Sequence, residues 1–391
     1  MTTTKKLFYE NTRQTSFSAT VLNCEKVSGG YNIILDRTLF YPEGGGQPAD
    51  TGTLSQDGYM VNILNVNEKN SVIFHLADAA LAPGGAVTGE IDWNRRFSYM
   101  QQHTGEHIVS GIIKLRYGFE NVGFHMGAEY VTVDYSGNLK EKDVDLVENL
   151  ANKAVYENIK VNMLYPSANE LESLNYRSKK ELTGEVRIVD IPGYDTCACC
   201  GIHCGHTGEI RVIKLLAVEK YKGGARMHML CGQRAIDDYA DKNRQVYGIS
   251  ELLSAKPRGI LNAVARLKDE NSALKDTIYV YKKELFRRKA EDIPEGSQSA
   301  CLFEDGLTPE DLRLLCLNLS ERAEFAAVFS QTDSRVYRYA LASKTADVKK
   351  IAADLNAALN GRGGGQKAYA SGVVNADKEE IENWMLIKKH G

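Results

Sequence analysis

The sequence contains no apolar run long enough to span a membrane, and its opening residues, MTTTKKLFYENTRQ, include no apolar core of a secretory signal. A strong excess of charge is also lacking: 48 lysines and arginines face 51 aspartates and glutamates, so any surface that binds a polyanion must be local. The cysteines do not suggest a disulfide framework. Half of the eight are clustered with histidines, which favours metal binding in a reducing compartment. We therefore expect a cytoplasmic protein.

A length of 391 residues predicts two or three domains, and the predicted fold class is multidomain α+β. Short alternating runs between Gly-Gly and Asp-Gly turns over residues 15–92 predict a small N-terminal β-barrel. Mixed strand and helix signals follow, then a helical stretch, then alternating helix and strand signals again. The predicted domains are a β-barrel at 1–92, an α+β core at 93–232, a helical coiled-coil segment at 233–293 and a C-terminal α/β domain at 294–391.

Two histidines, His103 and His107, lie near the start of a predicted helix over residues 94–115. Because an α-helix has 3.6 residues per turn, both imidazoles project from one face and can share a metal ion. Apolar residues on that side, such as Met100 and Ile108, predict that the pair lies at the rim of a core. Two histidines that pack independently are the alternative, and their spacing does not decide between the two.

A second pair with the same spacing, Cys199 and His203, lies in a dense cluster of cysteines and histidines between predicted strands at 186–189 and 210–218. Imidazole and thiolate are the ligands that Zn2+ prefers, and two such pairs from separate elements can complete a tetrahedron. The sequence therefore predicts a zinc site with the ligands His103, His107, Cys199 and His203. The substitutes or bystanders are Cys197, Cys200, Cys204 and His206.

Two glycine runs interrupt the predicted elements. Gly44 to Gly46 lie between prolines and cannot form the interior of a strand, so they form a barrel corner or a loop whose bare backbone lies against a ligand. Residues 361–365 follow a helix predicted at 345–359 and read locally as a turn. The helix precedes these glycines, which excludes a P-loop, but an anion site built from backbone N–H groups with Arg362 and Lys367 stays open.

The helical segment carries apolar residues spaced alternately by four and three, with one polar position at Asn271. This heptad predicts a coiled-coil seam, in which the asparagine fixes the register. Its partner is either a second copy of the chain, which would give a homodimer, or residues 233–253. The seam consists of Ile260, Val264, Leu267, Asn271, Leu274, Ile278, Tyr281 and Leu285.

The order of these motifs resembles a known family. The histidine pair, followed by Cys199-x-x-x-His203 and Thr207-Gly208-Glu209-Ile210, resembles the editing domain of alanyl-tRNA synthetases and of free-standing AlaX-type editing proteins. The loop from Gly44 to Gly52 resembles the glycine motif of the N-terminal barrel in that family, and Lys222 to Arg226 resembles its Gly/Arg segment. The glycines at 361–365 resemble the signature of the DHHA1 domain. One departure is Cys199-Cys200-Gly201-Ile202-His203, where the family usually has Cys-Gly-Gly-Thr-His.

The resemblance implies a long AlaX-type protein that acts in trans, because the chain begins at the barrel and leaves no room for an aminoacylation module. Such proteins hydrolyse mischarged Ser-tRNA(Ala), and often Gly-tRNA(Ala), so the implied partner is tRNA(Ala) and the implied cofactor is Zn2+. Substrate binding is carried over to Gly45, Gly46 and Gln47, with Gln47 as the partner of the serine hydroxyl. The implied tRNA-binding residues of the DHHA1-like domain are Arg362, Gly363, Gly364 and Lys367.

Glu106 is the candidate general base, although one residue along a helix turns it about 100° from the adjacent histidine. Three other functions compete with editing. His103-x-x-Glu106-His107 also fits the H-x-x-E-H pattern of inverted zinc metalloproteases, which does not explain Cys199, His203 or the glycine runs. A tRNA-binding protein with a structural zinc is the second. A DHH-type phosphoesterase is the third, and the chain contains no Asp-His-His.

Overall fold

The structure is a computed structural model that describes residues 3–178 and 186–389, the side chains of 387–389 excepted. The chain divides into two compact units, Met1–Tyr247 and Gly248–Gly391. None of the helices in the described ranges is both long and apolar enough to cross a membrane. The predicted α+β class is confirmed.

The described part of the first unit combines a barrel with three further sheets, three complete helices and most of a fourth. Its strands are β1 (Lys5–Lys6), β2 (Ser16–Val27), β3 (Gly30–Leu35), β4 (Arg37–Thr38), β5 (Gly52–Gln56), β6 (Tyr59–Lys69), β7 (Val72–Ala77), β8 (Ala86–Ile91), β9 (Asn121–Met126), β10 (Val131–Tyr135), β11 (Asn162–Leu164), β12 (Ile188–Ile191), β13 (Asp195–Ala198), β14 (Ile213–Tyr221) and β15 (Gly224–Cys231). Its helices are α1 (Trp93–Tyr117), α2 (Glu141–Glu157), α3 (Ala168–Ser173) and α4 (Gly232–Leu252, which runs past the division).

The predicted barrel is confirmed. Six strands close in the order β2-β3-β7-β6-β5-β8, and all neighbours are antiparallel. In β2 the side chains of Phe17, Ala19 and Val21 point inward and the residues between them are exposed, as expected for strands with one buried face. The connection from β4 to β5 carries the glycine run, and at its end the Thr51 carbonyl accepts from the Asp92 N–H at the start of α1.

Helix α1 is the central element of the core, and its predicted extent is confirmed within two residues at each end. Asp92 caps its start by accepting a hydrogen bond from the Arg95 N–H, and Gly118 ends it with a left-handed φ of 72°. Every residue from Met100 to Ile113 is buried. The prediction that the histidines lie at the rim of the core was therefore wrong. Strands and loops cover the polar side of the helix as well, so His103 and His107 are each only 2% exposed.

A buried ion pair joins α1 to the glycine run. The Arg96 Nε donates to Asp50 Oδ1 at 2.9 Å, and neither side chain is exposed. Arg96 also donates to the carbonyl of Leu39, and Asp50 accepts from the Tyr41 N–H at 2.6 Å. Because both charged side chains are removed from water, the hydrogen bonds between them closely fix the position of one relative to the other. The glycine run is therefore fixed relative to the helix that carries the histidines.

The rest of the first unit surrounds α1. One sheet has the order β14-β15-β10-β9, a second has the order β11-β12-β13, and β1 and β4 form a two-stranded parallel sheet. The strand predicted at 186–189 begins two residues later, and the one predicted at 210–218 begins at Ile213, because Thr207–Ile210 forms a 3-10 turn. Between β13 and that turn runs an irregular loop that contains Cys199 and His203.

The second unit packs three helices against one sheet. Its helices are α5 (Ile260–Glu291), α6 (Pro309–Arg322), α7 (Val348–Ala358) and α8 (Lys378–Lys389), of which α5 leads into this core. Its strands are β16 (Ser297–Phe303), β17 (Ala323–Asp333), β18 (Val336–Ser343), β19 (Arg362–Gly365) and β20 (Tyr369–Asn375), in the order β16-β17-β18-β20-β19. The predicted helical break is confirmed, because a 3-10 turn at Pro257–Gly259 precedes α5.

The predicted heptad lies on α5 and is solvent-exposed in the single chain. Leu267 is 52% exposed, Leu274 61% and Tyr281 71%. An apolar row of this length normally packs against a partner. The coiled coil stays a prediction, with a second copy of the chain or residues 233–253 as its partner.

The predicted turn at 361–365 was wrong, because Arg362–Gly365 is an edge strand that pairs with β20. Glycine is needed here for space, since a Cβ at Gly363 would lie 2.5 Å from the Cα of Gly372 and 2.7 Å from the Tyr339 hydroxyl. Two glycines opposite each other allow the strands to approach over a tyrosine. The extended backbone also excludes an anion site formed by a turn.

Candidate metal centre

The structure brings together the four residues predicted as zinc ligands. His103 and His107 come from the buried middle of α1, and Cys199 and His203 from the loop after β13. One donor atom from each lies within 4.8 Å of the others. The Cys199 Sγ is 3.5 Å from the Nε2 atoms of both His103 and His203. Ninety-six residues of sequence separate the two pairs, so only the fold places them on one point.

The hydrogen bonds at Nδ1 assign one tautomer to all three rings. His103 Nδ1 lies 2.9 Å from Gln47 Oε1, which also accepts from the Ile202 N–H and is therefore an acceptor. His107 Nδ1 lies 2.9 Å from an Asp195 carboxylate oxygen. His203 Nδ1 lies 3.3 Å from the Thr104 hydroxyl, whose proton goes to the Met100 carbonyl. Each Nδ1 thus donates a hydrogen bond, which leaves Nε2 as the atom of each ring that can bind a metal.

The ionisation of Cys199 also suits a metal. Burial opposes the charged thiolate, but His103 and His107 beside it lower the pKa of Cys199 well below its usual value. Burial and the neighbouring His103 lower the pKa of His203, which favours its neutral form. Thiolate and imidazole are the donors typical of Zn2+. Burial opposes a charged His107, but Cys199 and Asp195 beside it raise its pKa well above the usual value, so a zinc ion would displace a proton there. The residues present therefore fit the predicted ion.

A second group of donors, His107, Asp195 and Cys197, shares one histidine with the first. Its carboxylate is already used, because the Arg177 Nε donates to Asp195 Oδ1 at 2.6 Å and an Arg177 terminal nitrogen donates to Oδ2 at 2.7 Å. A guanidinium at this position repels a cation. Asp195 therefore orients His107, and Arg177 orients Asp195.

The other predicted bystanders lie outside the group of four. Cys204 is buried, and its N–H donates to the Thr104 hydroxyl at 3.0 Å. His206 lies on the surface, 3.8 Å from Glu209. Cys200 is exposed at the mouth of the adjoining cavity. Gly201 has a steric role, since a Cβ there would lie 2.1 Å from the ring of His103.

The first glycine run lies against this site. Gly45 and Gly46 have left-handed φ values of 61° and 82° and line the cavity that contains His103 and His107, so the loop is more than a barrel corner. A Cβ at Gly46 would lie 2.6 Å from the ring of Phe124. Gln47 is fully buried, and its Nε2 has no hydrogen-bond partner among the described residues.

Glu106 lines the same cavity, although the helical rotation predicted that it would point away from the histidines. Its Oε2 is 3.9 Å from His107 Nε2, and its Oε1 accepts hydrogen bonds from Ser110 at 2.5 Å and from Asn121. The cavity has a volume of about 700 Å3, enough for an aminoacyl group and part of a nucleotide. Its other lining residues include Lys6, Tyr9, Tyr165, Arg177, Arg187 and Cys197.

Sequence reasoning did not identify the residues that hold the ligands. Asp195 and Thr104 show no motif, because their importance depends on what lies opposite them in the fold. Only the position of Thr104 beside His103, on the same buried helix, gave a weak signal. The four candidate tRNA-binding residues, Arg362, Gly363, Gly364 and Lys367, are exposed on the second unit.

Two family models match the first unit. The model for class II (A) tRNA synthetases matches residues 2–95, and the model for the second additional domain of threonyl- and alanyl-tRNA synthetases matches residues 186–231. The second match contains Cys199 and His203. The C-Ala domain of Aquifex aeolicus alanyl-tRNA synthetase covers 25% of the chain and 92% of that domain at 21% identity, with a TM-score of 0.22.

Among curated relatives, the alanyl-tRNA editing protein AlaX-L of Pyrococcus horikoshii is 26% identical, and the alignment covers 98% of each protein. The editing protein Aarsd1-B of Xenopus laevis is 27% identical over 92% of the chain and 88% of its own length. The alanine--tRNA ligase of Ignicoccus hospitalis is 29% identical over 97% of the chain. The chain spans only 42% of the length of that ligase.

The barrel, the α+β core and these matches define the class, namely relatives of the additional domains of alanyl-tRNA synthetases. Within that class, the chain belongs to the AlaX-type alanyl-tRNA editing proteins.

Proposed function

We propose that this protein hydrolyses the ester bond of mischarged tRNA(Ala), with Ser-tRNA(Ala) as substrate and Gly-tRNA(Ala) as a second one, at a zinc centre. The observation that carries the proposal is the convergence of His103, His107, Cys199 and His203 beside a cavity of about 700 Å3. The editing relatives match the chain end to end, which supports the same reaction here.

An aminoacyl ester is already activated, so its hydrolysis needs a positioned water and stabilisation of charge on the carbonyl oxygen. His103, His107, Cys199 and His203 would hold a zinc ion, which would supply Lewis acidity for the charge on the carbonyl oxygen and for the activation of water. The chain's residues orient three imidazoles through Gln47, Asp195 and Thr104, and they keep the donors inside the core. These three orienting side chains make further hydrogen bonds of their own, which hold the imidazoles rigidly.

Glu106 is the proposed acceptor of the water proton. Ser110 and Asn121 donate to one carboxylate oxygen, and the other, Oε2, lies 3.9 Å from His107 Nε2, in a side chain that lines the cavity. A carboxylate positioned in this way can remove a proton from a water in the same cavity. Gly45 and Gly46 leave room for the aminoacyl group beside it.

The enzyme must hydrolyse the serine ester and leave the alanine ester intact. A buried group that hydrogen-bonds the serine hydroxyl disfavours alanine, because alanine has no hydroxyl. Gln47 is the proposed partner of the serine hydroxyl. In support of this role, its Nε2 has no hydrogen-bond acceptor among the described residues. The second unit is proposed to be the DHHA1-like domain that binds tRNA through Arg362, Gly363, Gly364 and Lys367. The four-domain division and a homodimer through the α5 heptad are parts of the same proposal.

One observation favours a second candidate, a protein that binds tRNA around a structural zinc. Four protein donors fill a tetrahedron, whereas catalytic zinc usually keeps one position for water. The metalloprotease alternative has less support, because Cys199 and His203 complete a donor set that its H-x-x-E-H pattern does not use.

The test is to incubate the full chain with Ser-tRNA(Ala), Gly-tRNA(Ala) and Ala-tRNA(Ala), before and after removal of the metal with a chelator. We expect hydrolysis of the mischarged species, its loss after chelation and its recovery with Zn2+. Zinc retained in the purified protein with no hydrolysis would favour the structural-zinc candidate. Cys199→Ala should lose the metal, whereas Cys24→Ser in the barrel should keep it. Absence of metal from the wild-type chain would contradict both candidates.

A further inference from the structure

The loop that carries two of the four ligands, Cys199 and His203, is not part of a helix or a β-strand at those residues. Cys199 to His203 lie between the end of β13 and the 3-10 turn at Thr207–Ile210. An irregular backbone positions a ligand only if its own polar groups have partners. The rigidity of the donor set therefore depends on which residues supply those hydrogen-bond partners.

The three consecutive carbonyls of this loop are all taken by two side chains. A single terminal nitrogen of Arg187 donates to the carbonyl of Cys199 and to that of Gly201, both at 2.8 Å. The carbonyl between them, on Cys200, accepts from the Tyr9 hydroxyl at 2.7 Å. Because all three bonds converge on one short stretch, its conformation is specified residue by residue.

These two side chains also support each other. The Arg187 guanidinium lies over the ring of Tyr9, with its central carbon 4.9 Å from the ring centroid. Burial raises the pKa of the Tyr9 hydroxyl well above its usual value, so that it stays a donor. The Arg187 carbonyl accepts from the Cys199 N–H at 3.1 Å, which ties the strand to the loop. The guanidinium donates to both carbonyls from one nitrogen while its flat face stacks on Tyr9, and a lysine ammonium has no flat face to stack.

The amides of the loop point the other way. The Gly201 N–H approaches the Cys199 Sγ at 3.3 Å, and the Ile202 N–H donates to Gln47 Oε1 at 3.2 Å. The loop thus carries its carbonyls towards Tyr9 and Arg187 and its amides towards the donor set. A change on the carbonyl side is transmitted directly to the position of the thiolate.

We propose that Arg187 and Tyr9 are positioning residues that fix the Cys199–His203 loop, and that they set how tightly the centre holds its metal. This inference rests on the proposed function, since it takes the four residues as the ligands of a bound ion. Tyr9 lies 191 residues from the loop in sequence, which makes the short segment before the barrel part of the metal centre. Neither side chain is a ligand.

The test measures the metal rather than the reaction. Full-length protein loaded with Zn2+ is mixed with excess chromogenic chelator, and the rate of zinc release is followed. We expect Arg187→Gln to release zinc about tenfold faster or more, the size usual for partners of metal ligands. Tyr9→Phe keeps the stacked ring and removes one hydrogen bond, so about a fivefold increase is expected.

Two further variants separate geometry from charge. Arg187→Lys keeps the charge and N–H donors but lacks the planar group that stacks on Tyr9, so its release rate should lie between those of Arg187→Gln and the wild type. In Co2+-substituted protein, Arg187→Gln should shift the thiolate-to-cobalt absorption band, which a general loss of stability would not do. The controls are Arg37→Gln and Tyr59→Phe, on exposed parts of the barrel, and both should behave as the wild type.

Wild-type release rates and an unchanged cobalt spectrum in Arg187→Gln and Tyr9→Phe would overturn the inference. Full rescue by lysine would overturn the claim that the planar guanidinium, rather than its charge alone, is what matters. If Arg187→Gln does not fold, Tyr9→Phe alone decides. Failure of the wild-type protein to bind zinc would instead contradict the proposed function, so the two outcomes are distinguishable.

Discussion

Gln47 and His103 are joined by a 2.9 Å hydrogen bond between the end of the glycine run and the middle of α1. The same Gln47 oxygen accepts from the Ile202 N–H in the ligand loop. One fully buried amide therefore touches both halves of the metal centre. Its nitrogen is the part left for a substrate, so the two ends of this side chain have separable roles.

Gln47→Ala should lower zinc affinity about tenfold or more and slow hydrolysis of every substrate, because His103 loses the acceptor that orients it. Gln47→Glu should keep zinc, since a carboxylate oxygen still accepts from His103, but it lacks the NH2 group. If that group selects serine, Gln47→Glu lowers the ratio of Ser-tRNA to Ala-tRNA hydrolysis. Paired deacylation assays with zinc analysis give both readouts. An unchanged ratio in Gln47→Glu would remove Gln47 from serine discrimination.

Glu106→Gln should reduce hydrolysis about 100-fold or more while zinc content stays at the wild-type level, because the proposed proton acceptor is lost and no ligand is changed. Single-turnover deacylation and elemental analysis measure the two effects. Glu157→Gln, on the surface end of α2, is the control. Wild-type rates in Glu106→Gln would show that this carboxylate is not the base.

His75 predicts a pH dependence of stability that is independent of the metal. Burial lowers the pKa of His75 from 6.5 to about 4, because its ring is enclosed in the barrel, with Nδ1 donating to the Ile33 carbonyl and Nε2 facing the Thr38 hydroxyl. The unfolded chain binds the proton more readily, so this contribution is complete above pH 6.5 and is lost as the pH falls towards 4. The loss should reach about 3 kcal/mol.

Urea unfolding at several pH values between 4 and 7 measures this loss, followed on the transition of the unit that contains the barrel. In His75→Gln the dependence on pH should be flatter than in the wild type. His125→Gln, which changes an exposed ring, should keep the wild-type slope. Equal slopes in His75→Gln and the wild type would mean that other groups control the acid response.

Replacing Arg362 and Lys367 together with alanine should weaken tRNA binding and reduce its salt dependence, because each removes an exposed cation beside the edge strand β19. Zinc content should not change. Filter binding at several salt concentrations measures the effect, and Lys268→Ala on α5 is the control. Binding and salt slope equal to the wild type would place the tRNA surface elsewhere.

Local pattern was sufficient for much of the fold. Alternation predicted the barrel, helical periodicity predicted α1 and α7 within three residues at their ends, and the break before α5 was found from Pro257 and its neighbours. These signals depend on residues close in sequence, where the period of the backbone fixes which side chains share a face. The spacing of four residues also selected the two ligand pairs.

What the sequence by itself determined, then, was the chemistry of the donors and the elements that carry them. The tertiary structure decided that the middle of α1 is buried on all sides, that the two pairs meet, that Asp195 and Thr104 orient the rings, and that residues 362–365 form a strand and not a turn. The physical reason is that these features depend on contacts between segments many residues apart. No period or propensity within one segment encodes what will pack against it.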